Sequence, residues 1–421
     1  MDFTFWCRLL FFMLPTMKII SAYAQPQKNI TVKSVIIAGD SNSSWKSSSG
    51  EFALGFQQVS PHGYLLAITF DQLSEKTIVW AANRDKLAKP GSLAQISADG
   101  GLELIGPTGE HIWASNITGP GSVARGTMLD NGNFVLERQD SFFLWQSFNE
   151  PTDTLLPGQV LDQNGSLLAS LSETNSSKGR FELILQEDGN LVLYTINYPM
   201  TDAIFAYWST QTTIGSGYQL IFDQSGYIYV TAKNGTMLYI IFSNKFPNKY
   251  FRQRMTLDHD GVLRRYVYPR FANLTRGWPM KWSVDDFQPT NICLRVGGTR
   301  GGGVCGYNSL CTLGKYGSPS CSCPEKGYSA VDPTERMGGC KQDFGDGSFG
   351  YVDVANADWP GSEYEWYGSV SEEWCRESCL ADVYCVAAVV RSGGCWKMGL
   401  PLRNGRVNES IGGKSLLKVR L

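Results

Sequence analysis

The chain has 421 residues and carries 37 lysines and arginines against 39 aspartates and glutamates, for a formal net charge of −2. This length exceeds what one hydrophobic core usually holds, so it predicts several domains. The near balance of charge, without a long run of one sign, excludes nucleic acid as an expected partner.

The N-terminal residues have the pattern of a secretory signal peptide. Arg8 precedes an apolar run from Leu9 to Leu14, and the small-x-small site at residues 22–24 predicts cleavage before Gln25. A short membrane anchor is the alternative interpretation, but a span needs about 20 apolar residues. We therefore expect residues 1–24 to be removed. No later segment is long and apolar enough to cross a membrane.

An internal repeat follows the signal peptide. Residues 99–115 align without gaps on residues 131–147, and an earlier copy is recognisable upstream. The copies contain tryptophans spaced by 33 and 32 residues, namely Trp80, Trp113 and Trp145. Each copy has short alternating strands joined by turns rich in Asp-Gly or Asn-Gly, and one such sheet cannot bury its own apolar face. Residues 25–150 therefore predict a three-sided β-prism with tryptophans near its axis.

A second, more divergent triplet occupies residues 151–285. Its turns fall at Asp188-Gly189, Ser225-Gly226 and Asp260-Gly261. Residues 151–158 join the two triplets, because prolines and glycine suit a tight surface connection. The sequence therefore predicts an all-β fold class, with tandem β-prism domains followed by small disulfide-rich modules.

The most informative chemistry surrounds the first of these turns. Five side chains occupy alternate positions there: Gln186, Asp188, Asn190, Val192 and Tyr194. A monosaccharide offers vicinal hydroxyls and a small apolar flank, so its receptor needs a carboxylate and amides beside an apolar group. Because side chains alternate along a strand, the intervening Leu191 and Leu193 are expected on the opposite, buried side. The segment therefore predicts a carbohydrate-binding site.

The same turn also suits a prism that binds nothing, and the sister repeats illustrate this alternative. The equivalent positions around Gly132 are Leu129, Asn131, Asn133, Val135 and Glu137. Around Gly100 they are Ser97, Asp99, Gly101, Glu103 and Ile105, and around Gly261 they are Asp258, Asp260, Val262, Arg264 and Tyr266. The turns survive without the set of groups that binds hydroxyls. The intact set at 186–194 thus reflects either a retained sugar site or chance.

The cysteines are confined to the C-terminal part of the chain. Ten of the eleven lie between Cys293 and Cys395, and the eleventh, Cys7, falls in the predicted signal peptide. This segregation favours disulfide-free prisms followed by small modules stapled by disulfides, at residues 290–341 and 342–421. Spacing alone leaves 15 pairings open for the first six cysteines.

Zinc is the alternative ligand for the last four cysteines. An oxidising compartment and the lack of a nearby histidine favour disulfides instead. Calcium is not expected before Cys293, because residues 288–292 lack the acidic oxygens that a hard cation needs. Ser371 is the predicted cap of a helix that begins with Glu372-Glu373.

Eight Asn-x-Ser/Thr sequons agree with passage through a secretory pathway. They are Asn29, Asn42, Asn116, Asn164, Asn175, Asn234, Asn273 and Asn408. Single sequons arise by chance, so the set supports an extracellular location more than any member does.

Several motifs resemble known families. Residues 186–194 match without substitution the mannose-binding signature of the monocot bulb lectins, Gln-x-Asp-x-Asn-x-Val-x-Tyr. The blocks at residues 78–85 and 145–158 resemble the ectodomain of plant G-type lectin S-receptor-like serine/threonine kinases, also called S-locus receptor kinases. In the same way, residues 290–341 resemble an EGF-like module and residues 342–421 a PAN/apple module. The resemblance covers nearly the whole mature chain.

The resemblance implies roles for individual residues. Asp188 and Asn190 would hydrogen-bond one mannose hydroxyl. Gln186 and Tyr194 would hold neighbouring hydroxyls, and Val192 would contact the ring carbons. A lone shallow site would bind weakly, with a dissociation constant of about a millimolar. The family pairing of the cysteines would be Cys293–Cys311, Cys305–Cys321, Cys323–Cys340, Cys375–Cys395 and Cys379–Cys385.

Signals for catalysis are weak throughout. Residues 301–306 and 345–350 satisfy Gly-x-Gly-x-x-Gly, but neither follows a hydrophobic strand or opens a helix, so linkers are expected. The three histidines are scattered over separate repeats, and the adjacent carboxylates of Asp285-Asp286 indicate a solvated turn. We expect no enzyme activity, no cofactor and no metal.

These observations support three hypotheses. The first is a secreted or cell-surface recognition protein that binds a mannose-type glycan or an extracellular protein or peptide ligand, and that dimerises with itself or with receptor kinases. The second is a mannose-binding lectin acting through residues 186–194. The third is the truncated sensor half of a membrane receptor kinase, because members of that family continue into a transmembrane helix and a kinase. The expected location is extracellular, in the apoplast, with a plasma-membrane receptor as the alternative.

Overall fold

The structure, a computed structural model, describes residues 29–41, 43–117, 119–196, 203–272, 277–343 and 347–420. The predicted signal peptide and the sequons at Asn42 and Asn273 lie outside the described residues. Antiparallel strands dominate the fold. Within the described ranges, no helix has the length and apolarity that a membrane crossing requires.

Residues 30–146 form three four-stranded sheets, which we call the first prism. Its strands β1 to β12 span, in chain order, Ile30–Thr31, Val35–Ile37, Ser44–Lys46, Phe52–Ser60, Gly63–Phe70, Thr77–Ala81, Leu93–Ser97, Gly101–Ile105, His111–Ala114, Arg125–Met128, Phe134–Glu137 and Phe143–Gln146. The sheet orders are β3-β4-β5-β6, β2-β7-β8-β9 and β1-β10-β11-β12. Each sheet therefore joins a consecutive meander to one short leading strand. The predicted β-prism is confirmed.

Three indoles meet at the centre of the first prism. Trp80, Trp113 and Trp145 lie on the last strand of the three sheets, each opposite a fully buried aliphatic residue. Their ring centroids are 5.7, 5.8 and 6.1 Å apart, and the rings meet edge to face. This arrangement places the electropositive edge of one ring against the face of the next. Trp80 and Trp145 donate their indole N–H groups to Glu150, at 2.8 and 2.9 Å.

Residues 154–288 repeat this architecture as the second prism. Strands β13 to β24 span Thr154–Leu155, Val160–Asp162, Ser166–Ser170, Lys178–Leu185, Leu191–Ile196, Ala203–Ser209, Gly217–Phe222, Ile228–Ala232, Met237–Phe242, Phe251–Leu257, Leu263–Pro269 and Ser283–Gln288. The sheet orders are β15-β16-β17-β18, β14-β19-β20-β21 and β13-β22-β23-β24. Leading strands are again distributed one to each sheet, so the fold is a tandem of β-prisms.

The centre of the second prism differs from that of the first. The three positions that correspond in register to the central tryptophans are Trp208, Tyr239 and Asp286. The rings of Trp208 and Tyr239 remain in edge contact, with centroids 6.3 Å apart. In the third sheet the residue opposite is Arg265, which is 0% exposed where the other sheets have aliphatic side chains.

Arg265 is a buried cation held by several groups at once. Its guanidinium lies 5.4 and 5.3 Å from the ring centroids of Phe242 and Phe246 and forms an ion pair with Asp285. It also donates to the carbonyl oxygens of Gly226 and Asn244, at 2.8 and 3.0 Å. The interpretation of residues 285–286 as a solvated turn is therefore wrong. They lie on strand β24, where Asp285 supplies the carboxylate partner that a desolvated guanidinium requires.

Charged and aromatic contacts fasten the two prisms together. Arg84 of the first prism is 7% exposed and donates to the carbonyl oxygens of Ser176 and Leu168, at 2.6 and 2.8 Å. Conversely, Trp282 of the second prism donates to the Thr77 hydroxyl at 2.8 Å and packs on the Phe70 ring. These contacts involve both loops and strands of the two prisms.

The remaining residues form a disulfide-rich part with two hydrophobic clusters of its own. Its elements, in chain order, are α1 (Ile292–Arg295), β25 (Leu310–Leu313), β26 (Pro319–Ser322), β27 (Tyr328–Ala330), β28 (Cys340–Gln342), β29 (Phe349–Ala355), β30 (Ala357–Asp358), β31 (Glu363–Gly368), α2 (Glu372–Ala381), β32 (Ala387–Arg391), β33 (Gly394–Met398), β34 (Arg406–Val407) and β35 (Lys414–Arg420). Helix α2 packs on the five-stranded sheet β29-β35-β32-β33-β31. Its cap is Ser371, whose hydroxyl accepts from the Trp374 N–H at 3.1 Å.

Disulfides lie within each half of this part, and a shared sheet joins the two halves. The structure contains Cys293–Cys311, Cys305–Cys321, Cys323–Cys340, Cys375–Cys395 and Cys379–Cys385. Strands β26 and β25 continue into β34 and β30 within one sheet. The segment between the Cys323–Cys340 disulfide and the five-stranded sheet therefore lies between two halves that share the sheet β26-β25-β34-β30.

Removal of the Asp285 carboxylate tests the buried ion pair. Asp285→Ala leaves the Arg265 guanidinium buried without a counter-ion, so we expect a loss of about 3–5 kcal/mol in the free energy of unfolding. Urea unfolding of the full chain measures the loss. The double variant Arg265→Met with Asp285→Ala removes both charges and is expected to recover most of it. A double variant as unstable as the single one would contradict this account.

Candidate functional site

The predicted sugar-binding residues lie at the turn between β16 and β17. The turn is closed by two backbone hydrogen bonds, from the Gln186 N–H to the Asn190 carbonyl and from the Gly189 N–H to the Gln186 carbonyl, each 2.9 Å. Gly189 has φ +85°, and a Cβ there would lie 2.3 Å from the backbone nitrogen of Gly217. Both the conformation and the contact require glycine. The turn is therefore fixed against its neighbour before any ligand arrives.

Strand alternation separates the core side chains from the candidate site. Leu191 and Leu193 are 0% exposed and belong to the core of the second prism. Asp188 is exposed on the other side, and Gln186, Asn190 and Tyr194 are half-buried. The sequence pattern alone placed the polar groups on the outer face.

The polar side chains form a small hydrogen-bonded cluster. Gln186 Nε2 donates to the Tyr194 hydroxyl at 3.0 Å, which holds both side chains together. Asp188 Oδ1 accepts from the Asn190 backbone N–H at 2.9 Å. Among the described residues, none hydrogen-bonds to Asp188 Oδ2 or accepts from the Asn190 Nδ2 group. A carboxylate oxygen and an amide donor thus remain available side by side.

Val192 occupies a different position from the other four residues. It is 2% exposed, and its register partners on the neighbouring strands are Ile184 and Ser209. Its side chain therefore offers little surface to a ligand in this structure. The structure brings four of the five residues to the surface, with the fifth beneath them.

Three residues outside the motif support the turn. Thr212 Oγ1 donates to the Gly189 carbonyl at 2.6 Å, and Thr210 Oγ1 donates to Asn190 Oδ1 at 3.4 Å. Gln163 Nε2 donates to the Glu187 carbonyl at 3.0 Å. Sequence reasoning missed them because they come from other segments of the chain.

A sequence signal for Thr210 does exist. A serine or threonine follows two residues after the tryptophan in three sheets, at Ser115, Ser147 and Thr210. In each case its hydroxyl accepts the N–H of the first core residue after the turn, at 3.0, 2.9 and 3.2 Å. A repeated Trp-x-Ser/Thr pattern therefore marks the residue that fastens the turn to the next strand.

The sister position around Gly132 uses its polar groups internally. Asn133, which corresponds to Asn190, is 4% exposed, and its Nδ2 donates to Gln146 Oε1 at 2.8 Å. Glu137, which corresponds to Tyr194, forms an ion pair with Arg125. The residue that corresponds to Gln146 at the candidate site is Ser209, whose side chain is shorter. Asn190 consequently keeps its amide free.

The sister position around Gly261 is filled by an arginine. Arg264, in the place of Val192, donates to Asp258 Oδ2 at 2.6 Å and to Asp260 Oδ2 at 2.8 Å. It also donates to the Tyr316 carbonyl at 3.1 Å, in the disulfide-rich part. Burial alone lowers the pKa of Arg264, but the two carboxylates outweigh it and hold that pKa above its ordinary value. This site is a structural clamp.

No alternative centre of metal chemistry accompanies the turn. Within the described ranges, no group of three or more His, Cys, Asp or Glu side chains converges in a way that could hold a metal ion.

Comparison with known proteins defines the class of the chain. Residues 77–168 match the family model described as D-mannose binding lectin, which covers β6 to β15 and stops before the turn at 186–194. The fold is thus that of the bulb-type lectins. Among solved structures, the mannose-specific agglutinin from snowdrop (Galanthus nivalis) bulbs is 23% identical, with 30% of this chain and 99% of that chain covered and a TM-score of 0.22.

Curated relatives extend the similarity to nearly the whole chain. G-type lectin S-receptor-like serine/threonine-protein kinase LECRK3 of Oryza sativa subsp. indica is 36% identical over 96% of this chain and 53% of its own length. LECRK1 of subsp. japonica is 39% identical over 94% and 52%, and RLK1 of Arabidopsis thaliana is 34% identical over 90% and 48%. The chain is therefore homologous to G-type lectin S-receptor-like kinases and spans about half the length of these relatives.

Two alanine substitutions separate the conformational and packing requirements of Gly189. Gly235 has a similar φ of +82°, and no atom lies within 4 Å of where its Cβ would be, so Gly235→Ala should cost only the left-handed conformation, about 1–2 kcal/mol. Gly189→Ala meets the Gly217 backbone as well and should cost clearly more. Thermal unfolding of both variants measures the difference. Equal losses would mean that the turn and its neighbour are not in tight contact.

Proposed function

We propose that this chain is a non-catalytic recognition protein that faces the extracellular space and binds a mannose-type glycan through Gln186, Asp188, Asn190 and Tyr194. One observation carries the proposal. Asp188 Oδ2 and Asn190 Nδ2 remain available for hydrogen bonds with a ligand. The equivalent groups around Gly132 and Gly261 already form hydrogen bonds with other side chains. A cluster of hydrogen-bond donors and acceptors that remain free on an exposed turn suits a ligand rich in hydroxyls.

The cluster can bind two neighbouring hydroxyls of one sugar. Asp188 Oδ2 accepts from a hydroxyl, and the Asn190 amide donates to it or to the next one. The Gln186–Tyr194 pair, joined at 3.0 Å, bounds the other side and needs little rearrangement. Val192 lies under these groups and contributes packing more than ligand contact.

Affinity at such a site is weak. The cluster is shallow and offers few convergent contacts, so the dissociation constant is expected at about a millimolar, or roughly 4 kcal/mol of binding free energy. Useful binding then depends on presenting several sites together.

The relatives support the general role. Their names contain the lectin type, and the matched family model is described as D-mannose binding. Their kinase activity concerns those proteins, of which this chain spans about half. The five disulfides favour an oxidising compartment such as the cell exterior.

Titration with mannose tests the site directly. We expect mannose-dependent NMR shifts at millimolar sugar in the wild-type chain, and their loss in Asp188→Ala and Asn190→Ala, because each removes a hydrogen bond that stabilises the bound sugar. The matched control is Asp99→Ala, which changes the equivalent position of a degenerate turn. Unchanged spectra of the wild-type chain at high mannose would reject the proposal, as would equal effects of Asp99→Ala and Asp188→Ala.

Glycosylation tests the extracellular location. The asparagines of five sequons are exposed, namely Asn29, Asn116, Asn164, Asn175 and Asn234. Because a secretory pathway modifies accessible sequons, we expect N-glycans at these positions when the chain is made in a plant host. Peptide mass spectrometry after enzymatic glycan removal in heavy-oxygen water identifies the modified residues. Complete absence of glycans would contradict the proposed location.

A further inference from the structure

A cavity lies between the second prism and the disulfide-rich part. Its volume is about 250 Å³, and its wall combines residues from both sides. The prism contributes Arg180 and Ile204, and the disulfide-rich part contributes Val296, Arg300 and Asn404. The cavity is separate from the sugar-binding turn, so a ligand in it would bind independently of mannose.

The cavity is positively charged without an adjacent counter-ion. Arg180 donates one hydrogen bond through Nη1 to the Met337 carbonyl at 2.8 Å. In the part of the chain that the structure describes, neither Arg180 nor Arg300 has a carboxylate oxygen within 4.0 Å. Glu335 acts on Arg180 only through its longer-range charge. Arg180 is half-buried and Arg300 is exposed. A partly desolvated guanidinium that lines a cavity without a carboxylate beside it favours an anionic ligand.

Asn404 adds an acceptor without a donor. This side chain is 4% exposed, and its Nδ2 donates to the carbonyl oxygens of Gly298 and Pro360, each at 2.8 Å. Those two bonds fix the orientation of the amide. Its Oδ1 is buried and has no hydrogen-bond partner among the described residues. An unsatisfied buried acceptor costs about 1–3 kcal/mol, which a ligand N–H or O–H donor would recover.

The glycine-rich segment 301–306 is a packed wall of this cavity and not a flexible linker. Gly303 has φ +78°, and a Cβ there would lie 2.9 Å from Asn404 Oδ1. Gly306 has φ +80°, and its Cβ would lie 2.6 Å from the Gly339 nitrogen. The glycines thus let three backbone segments approach one another around the cavity.

The remaining wall is apolar. Ile204 and Val296 face the cavity from opposite sides of the junction, together with Phe181 of the prism. A ligand must therefore combine an anion, a hydrogen-bond donor and an apolar group within a small volume. The terminal residue of a peptide has this combination around one carbon atom, because its carboxylate, N–H group and side chain all branch from the Cα.

We propose that this cavity binds the C-terminal residue of an extracellular peptide with an apolar last side chain. Arg180 and Arg300 pair with the terminal carboxylate. Asn404 Oδ1, which is closed to solvent in this structure, accepts the N–H of the same residue after a local shift opens it. The side chain packs on Ile204 and Val296. Because the walls belong to both parts of the molecule, the bound peptide end would tie the second prism to the disulfide-rich part.

N-acetyl-leucine and its primary amide provide the probe for this site. The full chain is titrated with each by NMR, and we expect the carboxylate to bind at least ten times more tightly than the amide. Arg180→Gln and Arg300→Gln are each expected to weaken the binding of N-acetyl-leucine at least fivefold. Arg295→Gln, at an exposed arginine on α1 outside the cavity, is the matched control and should have no effect.

Several outcomes would overturn the assignment. No shifts with N-acetyl-leucine, equal binding of acid and amide, or unchanged binding in both arginine variants would each reject it. D-galacturonate binding as tightly as N-acetyl-leucine would show a general carboxylate site and reject the peptide assignment. Should Arg180→Gln fail to fold, Ile204→Trp fills the cavity from a half-buried position, and loss of N-acetyl-leucine binding in that folded variant would support the site.

Discussion

A small β-sheet with one apolar face must have that face covered, and this constraint organises the whole molecule. In each prism no sheet can bury its own apolar face, so three sheets cover one another's apolar faces around an axis. In the first prism the axis is filled by three indoles in edge contact. In the second, the same geometry tolerates a buried Arg265 in place of an aliphatic residue, because Asp285 and two carbonyl groups surround its guanidinium. The fold thus accepts a charged residue at a core position where a carboxylate and carbonyl groups surround it.

Covering the inner faces leaves the outer ends of the turns free to change. Three equivalent turns show three results. Around Gly132 the asparagine is drawn inward to hold the strand, and around Gly261 Arg264 fills the site and fastens the disulfide-rich part. At residues 186–194, Asp188 is exposed, and Gln186, Asn190 and Tyr194 are half-buried without being covered by another side chain of that kind. The proposed ligand-binding surface and a surface that contacts the rest of the molecule therefore differ by a few substitutions in the same kind of turn.

The repeats and turn residues predicted the prisms because evenly spaced tryptophans and Asp-Gly turns can be recognised in the sequence without knowledge of tertiary contacts. Alternation likewise predicted that Leu191 and Leu193 face the core. The burial of Val192 could not be predicted, since it depends on neighbours from two other strands. The prediction of a solvated turn at residues 285–286 was wrong for a similar reason. Adjacent carboxylates indicate a solvent-exposed turn when their partner is not known, and the partner Arg265 lies on another strand. The cavity at Arg180 could not be predicted from the sequence because its walls come from separate parts of the molecule.

The leading strands have a consequence for how the molecule is made. Strands β1, β2 and β3 emerge first from the ribosome, yet each is the outermost member of a different sheet, and Ile30 waits for Gly126 as its partner. Strand β3 pairs with the next strand, β4, whereas β1 and β2 have no partner until β10 and β7 are synthesised. Contacts this distant along the chain form slowly. The first prism therefore completes its three sheets only after most of its strands have been translated.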